Sequence, residues 1–238
     1  MASETRERQL TAAFVTLADT LVADYDVVDL LQTLVDTCRD LLDASAAGIM
    51  LADSATGELA VVASTSEKSR LVEVMQLSSG FGPCVECFHT GTAVSVSDVD
   101  NLGDRWPGFR EAVLEQGFRS VHGVPLRLRG RVIGTLNLFR AMPGEMSAED
   151  LSVAQGLADV ATIGILQERT IREADIAKKQ LQHALDSRVL IEQAKGVVAY
   201  QRDVDMDAAF GILRDYARSN HENLRDVAQK VVQRSLSL

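Results

Sequence analysis

The stretch VPLRLRGRVIGTLNLFRAMPGEMSAEDLSVAQGLADVATIGI, residues 124–165, decides the fold of the N-terminal part of the chain. Its first half alternates apolar and polar residues on both sides of Arg129-Gly130, which predicts two antiparallel strands joined by a tight turn. Ser147 then fits a helix N-cap, with the acidic Asp150 three positions later. A helical pattern follows without a proline for about forty residues. The stretch therefore predicts a hairpin followed by a long helix.

The residues before this stretch predict further helices and strands. Residues 6–42 show helical spacing, including Leu10, Phe14, Leu17 and Leu21, and ADYD at 23–26 separates two helices. Other runs are assigned as follows: AAGIMLAD and ELAVVAST as strands joined by SATGE, EKSRLVEVMQL as a helix, SSGFGPCVECFHTG as a glycine-rich loop, AVSVSDV as a strand and GFREAVLEQG as a helix. This order predicts an α+β domain with an antiparallel sheet flanked by helices.

The composition predicts a cytoplasmic globular protein. Of the 238 residues, 46% are hydrophobic and 24% are charged, as is usual for a chain with a real core. No run approaches the ~20 apolar residues of a membrane span, and the start MASETRERQL lacks a signal-peptide core. The three cysteines are too few for a disulfide framework, and the four histidines lack zinc-ligand spacing.

No sequence pattern indicates catalysis. The chain shows no nucleophile elbow, no phosphate-cradling P-loop and no GxGxxG after a strand. We therefore expect a protein that is not an enzyme and that has no resident cofactor or metal.

The negative charge is concentrated in the N-terminal part. The formal net charge is −10, and residues 1–170 hold 13 basic against 24 acidic side chains. Residues 186–238 hold 8 of each. A neutral C-terminal segment with its cations on one face is able to bind phosphate locally.

The stretch at 124–165 resembles the C-terminal half of a GAF domain. The resemblance extends back through GPCVECFHTGTAVSVSDV to about residue 25. It implies a five- or six-stranded antiparallel sheet with helices on its faces and a pocket on one side. It also implies a sensory or dimerising role. The residue patterns of cyclic-nucleotide and bilin binders are not matched, so the implied small-molecule ligand is unidentified.

Two features near the implied pocket allow more than one interpretation. The motif Cys84-Val85-Glu86-Cys87 is compatible with three interpretations. The two cysteines pack a loop, they form a redox or ligand-sensing pair, or they bind a metal together with His89. The redox interpretation lacks the thioredoxin-like unit in which such a pair usually opens a helix. Trp106, in the run DRWPGF, either packs this loop or stacks on a ligand.

The C-terminal part begins with SRVLIEQAKGVVAYQRD, residues 187–203, and predicts three amphipathic helices. The first runs to about Gln201, the second starts near Met206 with Asp205 as its cap, and the third is NLRDVAQKVVQRSL. The expected core residues are Leu190, Ile191, Ala194, Val197, Val198, Ala209, Phe210, Leu213, Tyr216, Ala217, Leu224, Val227, Ala228 and Val231. So small a core predicts support from dimerisation or from a neighbouring domain.

The cations of this part form two rows. Arg188, Lys195 and Arg202 are seven residues apart and drift by about 20° per step, which predicts a solvent-facing basic stripe. Arg214 and Arg218 share a face at i, i+4. Within the first helix Gly196 costs about 1 kcal/mol relative to alanine.

The segment 185–235 resembles an ANTAR domain, an RNA-binding antitermination module. The residues that carry the resemblance are Arg188, Ile191, Glu192, Ala194, Lys195, Gly196, the Ala-Ala-Phe at 208–210, Leu213-Arg214 and Asp226-Val227-Ala228. The family implies a dimer that binds paired stem-loops in leader transcripts so that transcription continues.

The resemblance also implies RNA-binding residues. Arg188, Lys195, Arg202, Arg214 and Arg218 would hold phosphates. Gly196 would allow the close approach of RNA or of a neighbouring helix. Tyr200 would stack on a base, or it packs locally.

We expect three segments: a GAF sensory or dimerisation domain with an N-terminal helix at 1–168, a coiled-coil-like helical linker at 169–186 and an ANTAR domain at 187–238. An alanine-rich seam of Ala174, Ala177, Leu181, Ala184 and Ile191, interrupted by Arg188, makes a coiled-coil homodimer plausible. The expected partners are stem-loop RNA, a second copy and a small ligand of the GAF domain, with no membrane.

Two other functions are compatible with the sequence. The first is a DNA-binding regulator whose last helices form a helix-turn-helix, although the RSNHEN connection is longer than the usual 3–4-residue turn. The second is a thiol-based redox sensor, or a signalling adaptor or redox-controlled enzyme, centred on Cys84 and Cys87.

Overall fold

A computed structural model describes residues 2–19, 27–106 and 108–238, with side chains from residue 6 onward. The chain divides into two compact units, Met1–Arg169 and Thr170–Leu238. The predicted helix residue Leu21 and the predicted break at 23–26 lie outside the described residues.

A five-stranded antiparallel sheet organises the described part of the first unit, which confirms the predicted fold class. Its strands are β1 (Ala46–Ala52), β2 (Leu59–Ser64), β3 (Val94–Val96), β4 (Ser120–Leu128) and β5 (Arg131–Arg140), in the order β2-β1-β5-β4-β3. Leu128 pairs with Arg131, so the predicted turn at Arg129-Gly130 is confirmed. Both turn residues have positive φ, 49° and 81°, as a two-residue hairpin turn of the primed type requires.

The α-helices among the described residues are α1 (Ala2–Asp19), α2 (Val27–Leu41), α3 (Glu67–Ser79), α4 (Pro83–Thr90), α5 (Phe109–Glu115), α6 (Ala148–Arg202), α7 (Met206–Ser219) and α8 (Leu224–Val232). The N-cap prediction at Ser147 is confirmed, because its Oγ accepts the Asp150 N–H at 3.0 Å. The predicted loop at SSGFGPCVECFHTG is wrong, since α4 lies inside it. Pro83 occupies the first turn of α4, and Gly91 ends it at a φ of 65°. The residues that signalled a loop are the start and end of a short helix.

The sheet buries a hydrophobic cluster on each face. Leu136 and Leu138 of β5 belong to the cluster that contains residues of α1, α2 and α6. Phe139 points to the opposite side and joins residues of α4 and α5, with Val72 from α3. Successive strand residues therefore alternate between two cores, as the pleat requires.

The second unit is a small bundle made by the last part of α6 together with α7 and α8. Asp205 caps α7 as predicted, because its Oδ1 accepts the Ala208 N–H at 2.7 Å. The buried core side chains are Ala194, Val198, Ala209, Leu213, Ala217, Val227, Ala228, Val231 and Leu238. Ile191 packs partly against this core, as the core prediction expected, and its part in a linker seam stays a prediction.

Among the described residues, no helix combines the length and the apolar composition that crossing a bilayer requires.

Candidate nucleic-acid interface and sensory site

Lys195 is held against α7 instead of standing free in solvent. Its side chain is 14% exposed, and Nζ lies 3.0 Å from Glu192 Oε2. The same ammonium lies 5.7 Å from the centre of the Phe210 ring. The prediction of a solvent-facing Lys195 is therefore wrong: the side chain is largely covered, and its charge lies between the Glu192 carboxylate and the Phe210 ring of α7.

Phe210 connects the basic residues of two helices. It was expected in the core, yet it lies half-buried outside the buried cluster of the bundle. On α7 it precedes Arg214 by four residues and Arg218 by eight, so the three side chains share one face. Arg188, Arg214 and Arg218 are exposed. We call Arg188, Lys195, Phe210, Arg214 and Arg218 the cationic face.

Arg202 makes a contact that the sequence did not predict. Its Nε donates a hydrogen bond to the backbone oxygen of Leu238 at 2.5 Å. Although Arg202 follows Lys195 at the predicted spacing, its guanidinium holds the segment after α8 against the end of α6. We therefore leave it out of the cationic face.

Gly196 and Tyr200 border a groove between α6 and the end of α8. The groove has a volume of about 820 Å³, and Val232 and Arg234 lie on its other side. Tyr200 is 91% exposed, so the interpretation that it packs locally is wrong. A Cβ at Gly196 would meet no atom of the described chain within 4 Å. Packing against another helix of the same chain therefore does not explain this glycine.

A fully buried carboxyl group lies between α3 and the sheet of the first unit. Glu73 accepts a 2.7 Å hydrogen bond from Asn137 Nδ2, and its carboxyl lies so close to Gly48 that a Cβ there would overlap it. Burial raises the pKa of Glu73 to about 8, against the opposing effect of the Asn137 hydrogen bond. Glu73 is therefore mainly protonated at neutral pH.

The unsatisfied atoms around Glu73 make this region a polar cluster inside an apolar core. Glu73 Oε2, Asn137 Oδ1 and Thr135 Oγ1 are buried without a hydrogen-bond partner among the described residues. Asn137 and Thr135 are two apart on β5 and so face the same side of the sheet. Buried polar atoms without partners are costly, and they occur where a ligand or water completes the site.

Cys84 and Cys87 are buried in the first two turns of α4. The Cys84 N–H donates to Gln76 Oε1 at 3.0 Å, and Gln76 Nε2 donates to Cys84 Sγ at 3.3 Å. Burial raises the pKa of Cys84 well above its usual range, and burial raises the pKa of Cys87 to about 12. The pair does open a helix, contrary to expectation, but the thiolate that redox chemistry needs is strongly disfavoured.

The metal interpretation of this pair has no support in the described residues. No group of three or more histidine, cysteine or acidic side chains is placed to hold an ion there. Trp106 lies against the same helix, and its Nε1 donates to Glu86 Oε2 at 3.2 Å. Arg105 stacks over the indole at 4.1 Å. These contacts fit the packing interpretation of Trp106.

A family model described as a GAF domain matches residues 24–165, which is more than half of the chain. The chain belongs to the GAF domain family. A second model, described as an ANTAR domain, matches residues 179–232. The predicted succession of a GAF domain and an ANTAR domain is confirmed. Comparison with curated proteins returned no match.

Solved structures share the fold of the GAF domain. One is the GAF domain of a phosphoenolpyruvate-protein phosphotransferase from Coxiella burnetii, at 15% identity and a TM-score of 0.56, covering 73% of this chain and 99% of that one. Another is the free methionine-R-sulfoxide reductase from Neisseria meningitidis in complex with its substrate, at 20% identity and a TM-score of 0.53, covering 72% and 94%. At these identities the likeness shows the fold alone.

The sequence did not single out Glu73 and Asn137 as buried polar residues of the GAF domain. It also predicted Phe210 in the core of the ANTAR domain, whereas the residue lies at the surface. The run EKSRLVEVMQL was predicted only as a helix, and neither of its two glutamates carries a sign of burial in the sequence. Gly48, within the apolar strand AAGIMLA, was the available signal. A glycine inside a strand marks close approach of another group, and here that group is the Glu73 carboxyl.

Proposed function

We propose that this GAF–ANTAR protein is a non-enzymatic, RNA-binding regulator that controls transcription by antitermination. Its GAF domain makes it a sensory protein, and its ANTAR domain is the output module. The single observation that carries the proposal is the cationic face, on which Lys195 is fixed between Glu192 and Phe210.

The cationic face suits a folded RNA in two ways. Lys195 loses little side-chain freedom on binding, because Phe210 already holds it, and a phosphate takes the place of the Glu192 carboxylate. Arg214 and Arg218 extend the row of cations along α7, so that several neighbouring phosphates are contacted at once. Release of counterions from those phosphates drives binding and makes it dependent on salt.

A second copy of the chain is the proposed partner of α6. Leu181, Leu185 and Val189 are spaced by four residues along one face and are 64%, 50% and 57% exposed. Apolar side chains in such a row predict burial against another helix. This row shares Leu181 with the predicted alanine-rich seam and extends the candidate dimer surface, and a dimer presents two ANTAR domains to two stem-loops.

The GAF domain supplies the regulatory input in this proposal. Its proposed ligand is an unidentified small molecule with hydrogen-bonding groups, which would have to open the closely packed polar cluster of Glu73, Asn137 and Thr135 to bind there. The residues of α6 belong to both units, which gives the input a covalent route to the output. We further propose that the protein acts in the cytoplasm, where nascent transcripts are found.

The experiment that tests the function is RNA binding by the full chain. RNA that co-purifies with the protein is sequenced, and the enriched leader segment is used in filter binding with wild type, Lys195→Ala and the control Lys179→Ala. Lys179 is exposed on the same helix, so both variants remove one charge. We expect about tenfold weaker binding by Lys195→Ala alone, with a salt dependence reduced by about one phosphate contact. Equal binding by all three proteins contradicts the proposal.

The structure does favour the DNA-binding alternative on one point. The connection between α7 and α8 is residues 220–223, so the objection that it is too long for a helix-turn-helix is wrong. However, the first turn of α8 is poorly suited to reading bases. Arg225 donates to His183 Nε2 at 2.6 Å, and Asp226 follows it. Preference for duplex DNA over structured RNA at matched salt would establish this alternative.

A further inference from the structure

A continuous groove runs along the ANTAR domain between α6 and α8. Two adjoining cavities of about 380 and about 820 Å³ form it, and they share Gln193 and Val232. We call it the α6–α8 groove. It lies on another side of α6 from the cationic face: Lys195 is directed to α7, whereas Gly196 and Tyr200 border the side of α8.

The walls of the α6–α8 groove carry hydrogen-bonding side chains over an apolar base. Gln193, Gln201, Gln229 and Gln233 line it, and all four are exposed. Each amide offers both a donor and an acceptor, as base edges do. Asp186 is the acid among the lining residues, and its carboxylate already accepts a hydrogen bond from Gln182 at 2.8 Å.

Two arginines place positive charge along the groove. Arg234 lines the larger cavity, and Arg225 lines the smaller one. Arg225 Nη1 donates to His183, but its Nε is buried without a partner among the described residues. A phosphate oxygen in the groove would reach this buried Nε only after the Arg225 side chain moves, whereas the Arg234 guanidinium is on an exposed residue.

Gly196 marks where an outside molecule comes closest. It lies within a regular helix, so no left-handed backbone conformation requires glycine there. No atom of the described chain stands where its Cβ would be. A glycine that costs about 1 kcal/mol of helix stability and relieves no internal contact points to close approach from outside the chain.

We propose that the α6–α8 groove binds unpaired nucleotides of the RNA. In this arrangement a nucleotide lies over Gly196, Tyr200 stacks on its base, and the glutamine amides read base edges. Arg225 and Arg234 contact the adjoining phosphates. This inference rests on the proposed RNA-binding function and adds sequence recognition to the charge-based binding of the cationic face.

The chemistry of the groove favours RNA over a second copy of the chain. Four amides, two guanidiniums and an almost fully exposed tyrosine are typical of base and phosphate recognition. Of the proposed dimer row on α6, Leu181 and Leu185 lie on the preceding turns outside the groove, whereas Val189 lines its smaller cavity. The experiment below therefore distinguishes RNA binding in the groove from pairing of two copies of the chain through the groove.

The test uses the full chain and a library of RNA hairpins with randomised loop nucleotides. Hairpins selected on the wild type are compared with the same stems carrying scrambled loops. The variants are Gly196→Leu and Gln193→Ala in the groove, Lys195→Ala on the cationic face, and the control Gly211→Ala. Gly211 is also helical and also has no atom within 4 Å of its Cβ position, so its replacement matches the gain in helix propensity.

We expect Gly196→Leu to weaken binding to the selected hairpin by about tenfold or more, with Gly211→Ala unchanged. Gln193→Ala should reduce the preference for the selected loop over the scrambled loop by about fivefold, whereas Lys195→Ala should weaken both equally. Wild-type affinity in Gly196→Leu overturns the groove proposal and leaves the cationic face intact. A Gly196→Leu protein that becomes monomeric in light scattering overturns it in favour of a dimer surface. Failure of the wild type to select any hairpin overturns the RNA function itself.

Discussion

The ammonium of Lys195 lies 5.7 Å from the centre of the Phe210 ring, and this contact joins the basic stripe of α6 to the arginine row of α7. Without it, the ANTAR domain would present two separate sets of cations on two helices. With it, a phosphate bound at Lys195 and a phosphate bound at Arg214 belong to one surface.

Phe210→Leu should therefore weaken RNA binding although Phe210 carries no charge. The leucine keeps an apolar side chain over the Lys195 stem but removes the ring that orients the ammonium. We expect a loss of about threefold to fivefold, consistent with a cation–π contact of about 0.5–1 kcal/mol at a partly exposed site.

A double-mutant cycle with Lys195→Ala isolates this effect. The Phe210 substitution should have almost no further effect once Lys195 is absent. Full additivity of the two losses would show that the ring and the ammonium act independently.

Gly48→Ala should destabilise the GAF domain strongly. A Cβ at this position overlaps the buried Glu73 carboxyl, which has no exposed route by which to move away. Overpacking of this kind costs about 1–3 kcal/mol, measured as a lower midpoint of urea unfolding.

The added methyl group of Gly48→Ala overlaps the Glu73 side chain in particular, so shortening that side chain should restore much of the lost stability. In a Glu73→Ala background the added methyl group has room, and Gly48→Ala should cost much less. An unchanged cost in that background would show that the carboxyl is not what requires glycine at position 48.

The contact of Glu73 with Gly48 and the contact of Lys195 with Phe210 show which parts of the structure the sequence could predict. The alternation around Arg129-Gly130 and the cap at Ser147 were predictable, because each depends on residues a few positions apart. The burial of Glu73 and the covering of Lys195 were not, because each depends on an element distant in sequence: Gly48 on β1 and Phe210 on α7. Helical periodicity assigns a face to Lys195, but it does not reveal that a neighbouring helix covers that face.

The segment around α4 also differs from its sequence-based prediction. Glycines and a proline around Cys84 predicted a loop, since they break regular structure on average. In the structure Pro83 is the first residue of an eight-residue helix, and Gly82 and Gly91 flank it as its N-cap and C-cap. The glycines and the proline therefore indicated where the chain changes direction, but they did not predict the helix between those points.

The GAF domain should lose stability as the pH rises between about 6.5 and 8, since below this range His122, whose pKa burial lowers to about 4, contributes in the opposite direction. The pKa of Glu73 is raised from 4.5 to about 8 in the native state, so within this window the native protein keeps a proton that the unfolded chain has released. This one group contributes a fall of up to about 1.4 kcal/mol per pH unit.

Glu73→Gln tests the pH dependence directly. The amide cannot ionise, so the difference in unfolding free energy between variant and wild type should grow from pH 5 to pH 8, measured by urea unfolding at each pH. A difference that stays constant across this range would show that Glu73 does not titrate in this way.

Cys84 and Cys87 should resist thiol reagents in the native state. Both are buried, and burial raises the pKa of both, so neither the exposure nor the thiolate needed for reaction is present. Labelling by iodoacetamide at neutral pH should be slow in buffer and complete in urea. Rapid labelling in buffer, or RNA binding that changes between reduced and oxidised protein, would support the thiol-sensor alternative.

The most direct test of the central claim is the affinity of Lys195→Ala for the leader RNA that co-purifies with the wild type, measured by filter binding beside Lys179→Ala. We expect about tenfold weaker binding for Lys195→Ala and wild-type binding for Lys179→Ala. Equal affinity for the three proteins would contradict it.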